Sequence, residues 1–531
     1  MAVLKCKIKP YIQPFEKMLA IRELTSLSGS APSLTESEIG GEYYAIKTNE
    51  GENFLASKLS YWESVQNKAT TQVLREATVN VVRNSVSPEQ IASQLPFNGS
   101  APLPNRRVLR YGSHGIHEYR GRFFPQLVRA LINISKTTDK GIVADPMCGS
   151  GTTILEGVLS SQTAIGIDLN PLSAFMSRTK VEILKVAPDE LNREYKKIHD
   201  ALLLSKPSGK PSGLKYFKSL PEHDQRYLSL WFAEHVLFDM EEIKQRIDEI
   251  ENPKIRDFML VALSNILRTV SYQKESDLRV RKEMKVDTDL DAIREFLEEL
   301  GRSARIVLAF LYQNQKSKLG NYQIFEGSAL DIPVHWKKYL SKVDVIITSP
   351  PYATALPYLD TDRLSLSYLG LLSRSNQAEQ NLGMIGNREI TDGIRRKLWA
   401  DYEESKNALP VSIVKTVDLI ERLNRNSDVG FRRKNLSALL GKYFLDMQKV
   451  FEGIYLSLKP GSHAYVVIGN NHTIAGNRRV DIETTTLLSD LAKSAGFISL
   501  ESLPMEMLVS RDIFRKNAVA SEFILDVQKP K

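Results

Sequence analysis

The stretch that decides the fold is Gly141–Leu159, GIVADPMCGSGTTILEGVL, together with Thr163–Pro171, TAIGIDLNP, just after it. The first combines a short apolar strand, a glycine-rich turn and a helix. The second gives another strand, Ala164–Ile167, which ends in Asp168. Strand, glycine turn, helix and strand plus acid form the βαβ order of a parallel sheet. The sequence therefore predicts an α/β protein with a Rossmann-like sheet and helices on both faces.

Outward from this stretch the pattern is interrupted and then resumes. Residues 181–315 have helical periodicity, so we predict a large helical insertion there. Strands return at Tyr322–Ile332 and Val343–Tyr352, and Gly441–Asn471 predicts a helix, a Lys-Pro-Gly turn and a strand. The predicted organisation is thus a small N-terminal region of unknown role (1–104), a sheet domain built from 105–180 and 316–531, and the insertion 181–315.

Composition limits the class of protein. The 531 residues are 42% hydrophobic and 25% charged, as in a globular protein, and the net charge of +8 suits a polyanion partner such as nucleic acid. No signal peptide or transmembrane run is recognisable, so we expect no membrane partner. Cys6 and Cys148 allow at most one disulfide and no zinc spacing. We expect a cytoplasmic protein without a metal site.

Asp145 and the glycine turn after it predict a ligand site. Gly149 and Gly151 allow a ligand to approach the backbone closely, and the acid before them suits an ammonium group. No Gly-Lys-Ser/Thr follows, which excludes a phosphate loop, and the spacing is not GxGxxG. Asp168, one strand later, can accept both hydroxyls of a ribose. A tight turn without a ligand and a capping acid remain the alternatives from these residues alone.

A second unusual strand end is Val343–Tyr352, VDVIITSPPY. Two prolines make a stiff segment that cannot pair as a strand. The Ser349 side chain and the Pro350 carbonyl are hydrogen-bond acceptors, and Tyr352 adds a flat face. Together they suit a planar ring that carries an exocyclic NH₂ group. A proline-terminated strand with a core tyrosine explains the same residues.

Taken in order, DPMCGSGT (145–152), GIDLNP (166–171) and TSPPY (348–352) resemble the amino-group class of S-adenosylmethionine-dependent DNA methyltransferases. That family methylates cytosine N4 or adenine N6. The segment His117–Ile132 resembles the family's additional cofactor-binding segment, and Leu458–Asn471 resembles its later sheet strand. The resemblance covers about 105–180 and 320–531. A serine before the two prolines is more frequent in the cytosine-N4 enzymes.

The resemblance implies the cofactor, S-adenosyl-L-methionine, and roles for individual residues. Asp145 would face its methionine end, Asp168 would hold its ribose, and Phe123 with the segment around Arg122 would close over it. Ser328 or Asp331 would take the place of an acid that the family often has near the adenine. The implied cofactor-binding residues are Phe123, Asp145, Pro146, Cys148, Gly149, Gly151, Thr152, Asp168, Asn170, Ser328 and Asp331.

The implied catalytic residues are Ser349, Pro350, Pro351 and Tyr352. Ser349 and the Pro350 carbonyl would accept hydrogen bonds from the target amine, which localises its lone pair for attack on the methyl group. Tyr352 would stack on a base flipped out of the duplex. No covalent enzyme intermediate is needed, so Cys148 is not expected to act as a nucleophile.

We therefore expect a cytosine-N4 methyltransferase that acts on double-stranded DNA in a restriction-modification system, with a cognate restriction endonuclease as a candidate partner. Adenine N6 is the nearest alternative. A guanine-N2 RNA methyltransferase would normally bring an RNA-binding domain, which 1–100 does not clearly provide. An inactive nucleic-acid binder would have lost Asp145, Asp168 or Ser349.

The segment that reads the DNA is open at this point. The insertion 181–315 is a candidate recognition element, although it lies where the familiar members of the family do not carry one. Two basic clusters could contact phosphates, within Asp277–Lys285 and Glu421–Asn435. A solvated charged face is the alternative for both. The basic residues concerned are Arg279, Arg281, Lys282, Arg422, Arg425, Arg432, Arg433 and Lys434.

Overall fold

A computed structural model gives the fold and describes most of the chain. The described residues are 2–9, 12–38, 41–66, 70–72, 110–119, 121, 123–204, 213–274, 281–283, 290–314, 318–353, 358–387, 390–425, 428–506 and 521–531. Within those ranges, no helix has both the length and the apolar content needed to span a bilayer. Arg122 and Arg279 lie outside them.

The strands are β1 (Ala2–Ile8), β2 (Ser33–Glu38), β3 (Gly41–Thr48), β4 (Trp62–Gln66), β5 (Thr70–Gln72), β6 (Ile142–Asp145), β7 (Thr163–Asp168), β8 (Asn321–Glu326), β9 (Val343–Thr348), β10 (Leu458–Gly469), β11 (Asn471–Ala475), β12 (Arg478–Ile482), β13 (Ile498–Glu506) and β14 (Ser521–Gln528). The α-helices are α1 (Pro14–Ser28), α2 (Glu52–Lys58), α3 (Pro125–Ile134), α4 (Thr152–Leu159), α5 (Pro171–Glu182), α6 (Pro188–Leu204), α7 (Lys215–Ser219), α8 (Glu222–Ser229), α9 (Glu234–Asp248), α10 (Pro253–Ile266), α11 (Ala292–Asn314), α12 (Ile332–His335), α13 (Tyr358–Thr361), α14 (Arg363–Tyr368), α15 (Gln377–Gly383), α16 (Asp392–Ser405), α17 (Val411–Arg425), α18 (Phe431–Ser457) and α19 (Thr484–Ser494).

Seven strands form the main sheet, in the order β13-β14-β10-β9-β6-β7-β8. The five strands from β10 to β8 are parallel to their neighbours, and β14 runs antiparallel to both β10 and β13. The strand order reverses between β6 and β9, because β7 and β8 lie on one side of β6 while β9 and β10 lie on the other. This topology confirms the predicted Rossmann-like α/β class.

Both faces of the sheet are covered, which explains why its strands read as near-continuous apolar runs. Val143 packs with the N-terminal helices, whereas the next residue, Ala144, packs in the core beneath α18 and α19. The same alternation separates Ile347 from Ile346 on β9. Helices on both faces were predicted, and the burial of successive side chains in opposite cores confirms them.

The N-terminal region forms an antiparallel sheet of its own, in the order β2-β3-β1-β4-β5. Its core continues into the main sheet, since Leu24 and Trp62 belong to the same buried cluster as Leu131, Val345 and Val467. The sequence had assigned no strands to this region.

A buried carboxylate, Glu23 of α1, ties this region to α3. It accepts hydrogen bonds from the Ser60 amide and hydroxyl, the Tyr61 amide (3.1 Å) and Asn133 Nδ2 (2.9 Å). Burial raises the pKa of Glu23, while these donors oppose the rise. One side chain thus joins three elements, and its removal would leave buried donors without an acceptor.

The segment predicted to be a helical insertion carries helices α6 to α11 between β7 and β8. α10 also reaches the region of the glycine turn. The hydroxyl of Ser264 on this helix hydrogen bonds to His117 Nε2 (3.0 Å), and Asn265 Oδ1 accepts from the Glu118 amide (2.8 Å). These bonds brace the segment that precedes Tyr119.

Candidate active site

A cleft lies at the carboxyl edge of the main sheet, where β6 and β9 are neighbours. Ligands of open α/β sheets bind at such a point, because the loops after the two strands diverge there. The lining residues are Tyr119, Gly121, Phe123, Asp145, Pro146, Met147, Cys148, Gly149, Ser150, Thr152, Asp168, Leu169, Asn170, Ser328, Ala329, Ser349, Pro351, Gly383, Met384 and Ile385. The three motifs, at 145–152, 166–171 and 348–352 along the chain, therefore meet in one cleft.

The two glycines of the turn are required for different reasons. Gly149 has φ +49°, and a Cβ there would lie 3.0 Å from the Tyr119 ring at the cleft wall. Gly151, at φ +80°, precedes α4, and a Cβ there would lie 2.6 Å from Ser177 Oγ. Gly149 lines the cleft, whereas Gly151 lies outside the lining and is required by helix packing.

Asp168 ends β7 and is held by backbone amides. Its Oδ2 accepts from the Gly149 amide (2.7 Å) and its Oδ1 from the Asn170 amide (2.8 Å). Burial raises the pKa of Asp168 to about 6. A carboxylate offers about four acceptor positions, so this group can still accept two hydroxyl hydrogen bonds. The Asn170 side chain caps α5 by accepting from Leu172 N (3.1 Å).

Asp145 ends β6 at the base of the cleft and is only 2% exposed. Its Oδ1 accepts from the Met147 amide (3.1 Å), and burial raises its pKa to about 7. Nearby, Ser150 Oγ is buried without a hydrogen-bond partner among the described residues. A buried acid and an orphaned hydroxyl at one cleft wall fit a ligand with an ammonium group and further polar atoms.

Ser349 follows β9 directly and lines the cleft together with Pro351. Pro350 is buried outside the lining. Tyr352 also lies outside it: its ring packs on the core beneath α18, and its hydroxyl hydrogen bonds to Glu522 at the start of β14. Burial raises the pKa of the Glu522 carboxyl. The next residue, Ala353, accepts a hydrogen bond at its carbonyl from Asn471 Nδ2 (3.2 Å).

The turn after β8 contributes one of the two residues proposed for the adenine end. Ser328 lines the cleft, and its hydroxyl accepts from the Leu330 amide (3.2 Å). Asp331 is exposed and lies outside the lining. Phe123 lines the cleft on the opposite side, close to the start of α3.

Some lining residues have no counterpart among the sequence predictions. Tyr119 belongs to the segment His117–Ile132, which the sequence predicted to bind the cofactor. That prediction did not name Tyr119 itself. Gly383, the last residue of α15, and the next two residues, Met384 and Ile385, come from a stretch with no motif. They are placed by Gln380, whose Nε2 donates to the Leu169 carbonyl (2.7 Å). Nothing in the sequence pattern pairs that glutamine with Leu169.

A buried network supports the glycine turn from behind. The carboxylate of Glu156 on α4 hydrogen bonds to Tyr111 Oη (2.6 Å), His114 Nε2 (2.9 Å) and Arg129 Nε (2.6 Å). Lys180 of α5 donates to the Ser150 carbonyl (2.8 Å). The turn therefore sits on charged groups that are paired and buried, which limits its freedom to move.

S-adenosylmethionine fits these groups. Asp145 and the Ser150 hydroxyl can bind its ammonium end. Asp168 keeps acceptor positions for two ribose hydroxyls, and Ser328, on the turn after β8, lies at the adenine end. The Cys148 side chain, within the turn, packs against Gly166 of β7, and burial raises the pKa of its thiol well above the ordinary value. A neutral buried thiol packs as a small apolar group.

Comparisons with known proteins agree with this geometry. Residues 117–199 match the family described as RMKL-like, methyltransferase domain (UPF0020). The Type II methyltransferase M.MvaI of Kocuria varians is 24% identical over 404 residues, covering 72% of this chain and 81% of that protein. M.AvaI of Nostoc sp. is 25% identical (72% and 78% covered), and M.BsoBI of Geobacillus stearothermophilus is 22% identical (73% and 81%).

The matches cover 78–81% of the length of these three relatives. The family model covers the glycine turn and β7, which ends in Asp168. The glycine turn, the acid of the next strand and the Ser-Pro-Pro-Tyr segment converge in one cleft, so the fold and the site are those of an S-adenosylmethionine-dependent methyltransferase, and the chain is similar to Type II DNA methyltransferases over about 72% of its length.

Proposed function

We propose that this protein transfers a methyl group from S-adenosylmethionine to the exocyclic N4 of cytosine in duplex DNA, as the modification enzyme of a restriction-modification system. The observation that carries the proposal is that Ser349 lines the same cleft as Asp145 and Asp168. The similarity to three Type II methyltransferases supports the biological setting. The serine before Pro350, the form more frequent in the cytosine-N4 enzymes of the family, supports the base.

The bound cofactor supplies an electrophilic methyl group. The chain's own residues place the acceptor: the Ser349 hydroxyl and the Pro350 carbonyl accept hydrogen bonds from the two N–H groups of the amine. Those bonds hold the nitrogen lone pair on the side of the cleft where Asp145 and Asp168 lie. The rate enhancement in this mechanism comes from positioning and fixed dipoles.

A base inside a duplex cannot reach Ser349, since this residue is half-buried at the edge of the sheet. The target must therefore leave the stack, at a cost of about a few kcal/mol. Tyr352 is adjacent to the two prolines and offers an aromatic face to replace the lost stacking. The proposal requires the Tyr352 ring to stack on the flipped base. Its hydroxyl then either keeps the hydrogen bond to Glu522 or replaces it with another.

The decisive experiment identifies the product. The protein is incubated with methyl-labelled cofactor and mixed-sequence duplex DNA, the DNA is digested to nucleosides, and the labelled nucleoside is identified by mass. Labelled N4-methylcytosine is the expected result. N6-methyladenine would overturn the choice of base, and label found only in a parallel RNA sample would overturn the choice of DNA.

A serine pair on opposite sides of the cleft tests the amine site. Ser349→Ala is expected to lower the methyl-transfer rate at least about 100-fold, the size of effect seen when a positioned hydrogen-bonding group is removed. Cofactor affinity should stay near wild type. Ser328→Ala is the matched control, because it removes the same hydroxyl at the cofactor end and should alter cofactor affinity more than the rate. Loss of cofactor binding in Ser349→Ala would refute the assignment.

A further inference from the structure

A group of exposed cations lies outside the cleft, on elements connected to the segment that follows Tyr352. It is formed by the first turn of α18 and the hairpin of β11 and β12, and we call it the hairpin–helix surface. Its basic residues, all exposed, are Arg432, Arg433, Lys434, Arg478 and Arg479. Arg479 pairs with Asp481 (2.8 Å). Phe431, 56% exposed, adds an aromatic ring at the same turn.

A single buried amide joins the two parts of this surface. Asn424, 3% exposed, donates from Nδ2 to the Arg433 carbonyl (2.8 Å), and its Oδ1 accepts from the Gly476 amide (3.0 Å). Gly476 is in the hairpin turn, two residues before Arg478. The hydrogen bonds therefore fix the tip of the hairpin against the start of α18, which gathers the cations of both elements.

The hairpin also connects the surface with the proposed base site. β10 ends at Gly469, and β11 begins at Asn471, whose side chain holds the Ala353 carbonyl next to Tyr352. The six residues from Asn471 to Gly476 are separated by five steps, which span at most about 17 Å as extended strand. One strand of DNA carries a phosphate about every 3.4 Å of helix axis, so that reach corresponds to about five base pairs. A duplex with one base at Tyr352 can thus place phosphates on the surface.

The helical insertion has a different charge pattern. Residues 181–315 contain 22 Lys and Arg against 24 Asp and Glu, although the whole chain has a net charge of +8. Several cations there pair within their own helix, as in Arg226 with Glu222 and Arg246 with Glu242. On the hairpin–helix surface, Arg433 and Arg478 have no carboxylate within ion-pair distance among the described residues.

From these observations we infer that the hairpin–helix surface binds the phosphates of the DNA strand next to the target base. This inference rests on the proposed function and names the part of the chain that holds its substrate. Contacts of this kind position the duplex without reading its sequence, so the surface sets affinity and register. Arg433 and Arg478 are the residues that carry it.

The test compares two double variants that lose equal charge. Arg433→Ala with Arg478→Ala removes two cations from the surface, and Arg193→Ala with Arg226→Ala removes two exposed cations from the insertion. Binding to a labelled duplex is measured by fluorescence anisotropy between about 50 mM and about 200 mM salt, the range over which phosphate contacts act strongly. Cofactor binding by calorimetry confirms that each variant is folded.

The plot of log affinity against log salt should be shallower by about 1.8 for the surface variant, since each phosphate contact contributes about 0.9. The insertion control should keep the wild-type slope. An unchanged slope for the surface variant, or an equal change in the control, overturns the inference. If wild type methylates DNA in that case, the proposed function stands. If the wild-type protein neither binds nor methylates DNA, or binds duplex RNA in preference, both the inference and the proposed function are wrong.

Discussion

The affinity for S-adenosylmethionine should rise with pH, because Asp145 must give up a proton to hold an ammonium group. Burial raises the pKa of Asp145 to about 7. The carboxyl is then about 9% ionised at pH 6 and about 76% ionised at pH 7.5. If only the ionised form binds the cofactor, the association constant increases about eightfold over that interval.

Asp168 adds a smaller step in the same direction. Its pKa is raised by burial to about 6, so its ionised fraction goes from about one half to nearly all over the same interval, a factor of about two. The ammonium group of the ligand stays mostly charged below its own pKa of about 7.7–8.0. Because the charged fraction of that ammonium group falls to about two thirds at pH 7.5, the combined increase expected from pH 6 to pH 7.5 is about elevenfold.

Isothermal titration calorimetry at four pH values across this interval measures the effect, with the proton release checked by repeating one pH in buffers of different ionisation enthalpy. Asp145→Asn is the control: affinity should be lower at every pH, and the remaining increase should shrink to less than about twofold, because the gain from Asp168 is partly offset by the titration of the ligand's ammonium group. A wild-type affinity that does not change with pH would refute the reasoning. So would an Asp145→Asn variant that keeps the full dependence.

Three other substitutions test the contacts that stabilise the fold and the site. Glu23→Ala should lower the free energy of unfolding by about 2–4 kcal/mol in urea titration, since the buried donors on Ser60 and Tyr61 lose their acceptor; a loss below about 0.5 kcal/mol, as at an ordinary surface position, would contradict this. Tyr352→Phe should lower kcat/KM about tenfold with cofactor affinity unchanged, because a hydrogen bond to a carboxyl contributes about 1.5 kcal/mol to orienting the ring. Glu522→Gln should give a similar loss and the double variant little more, and additive losses would show that the two groups act separately.

The parts of the fold that could be predicted are those where a local pattern dictates the backbone. A run of buried β-branched residues that ends in Asp145 or in Ser349 must be a strand end in a covered sheet. Since parallel strands share their carboxyl edge, these ends must meet once the strands are neighbours. Asp145, Asp168 and Ser349, which the sequence places at such strand ends, do line one cleft, whereas Gly151, Asp331, Pro350 and Tyr352 lie outside its lining.

What could not be predicted depends on contacts between distant segments. In the N-terminal sheet, β1 alternates buried Leu4, Cys6 and Ile8 with lysines, a period-2 signal that the sequence analysis did not use, whereas β2, SLTESE, has no such apolar alternation. Met384 lines the cleft only because Gln380 docks on the Leu169 carbonyl and Gly386, at φ +77°, lets the chain pass Pro351. Tyr352 was expected to face a base, yet its hydroxyl bonds to Glu522, 170 residues away. Such pairs have no signature in a single sequence.

The electrostatics of the cleft give an argument for its ligand that does not depend on motifs. Because burial raises the pKa of Asp145 far above that of an unfolded chain, the folded protein holds an extra proton between about pH 4 and about pH 7, and its stability falls as pH rises through that window. The ligand-free fold is therefore weakened at neutral pH by the ionisation of a carboxyl it has buried. A cation bound at that carboxyl favours its ionised form and so offsets this loss of stability. The affinity for such a cation therefore increases with pH through the same window. Under the proposed function that cation is the ammonium group of the cofactor, which would make Asp145 one half of a buried charge pair.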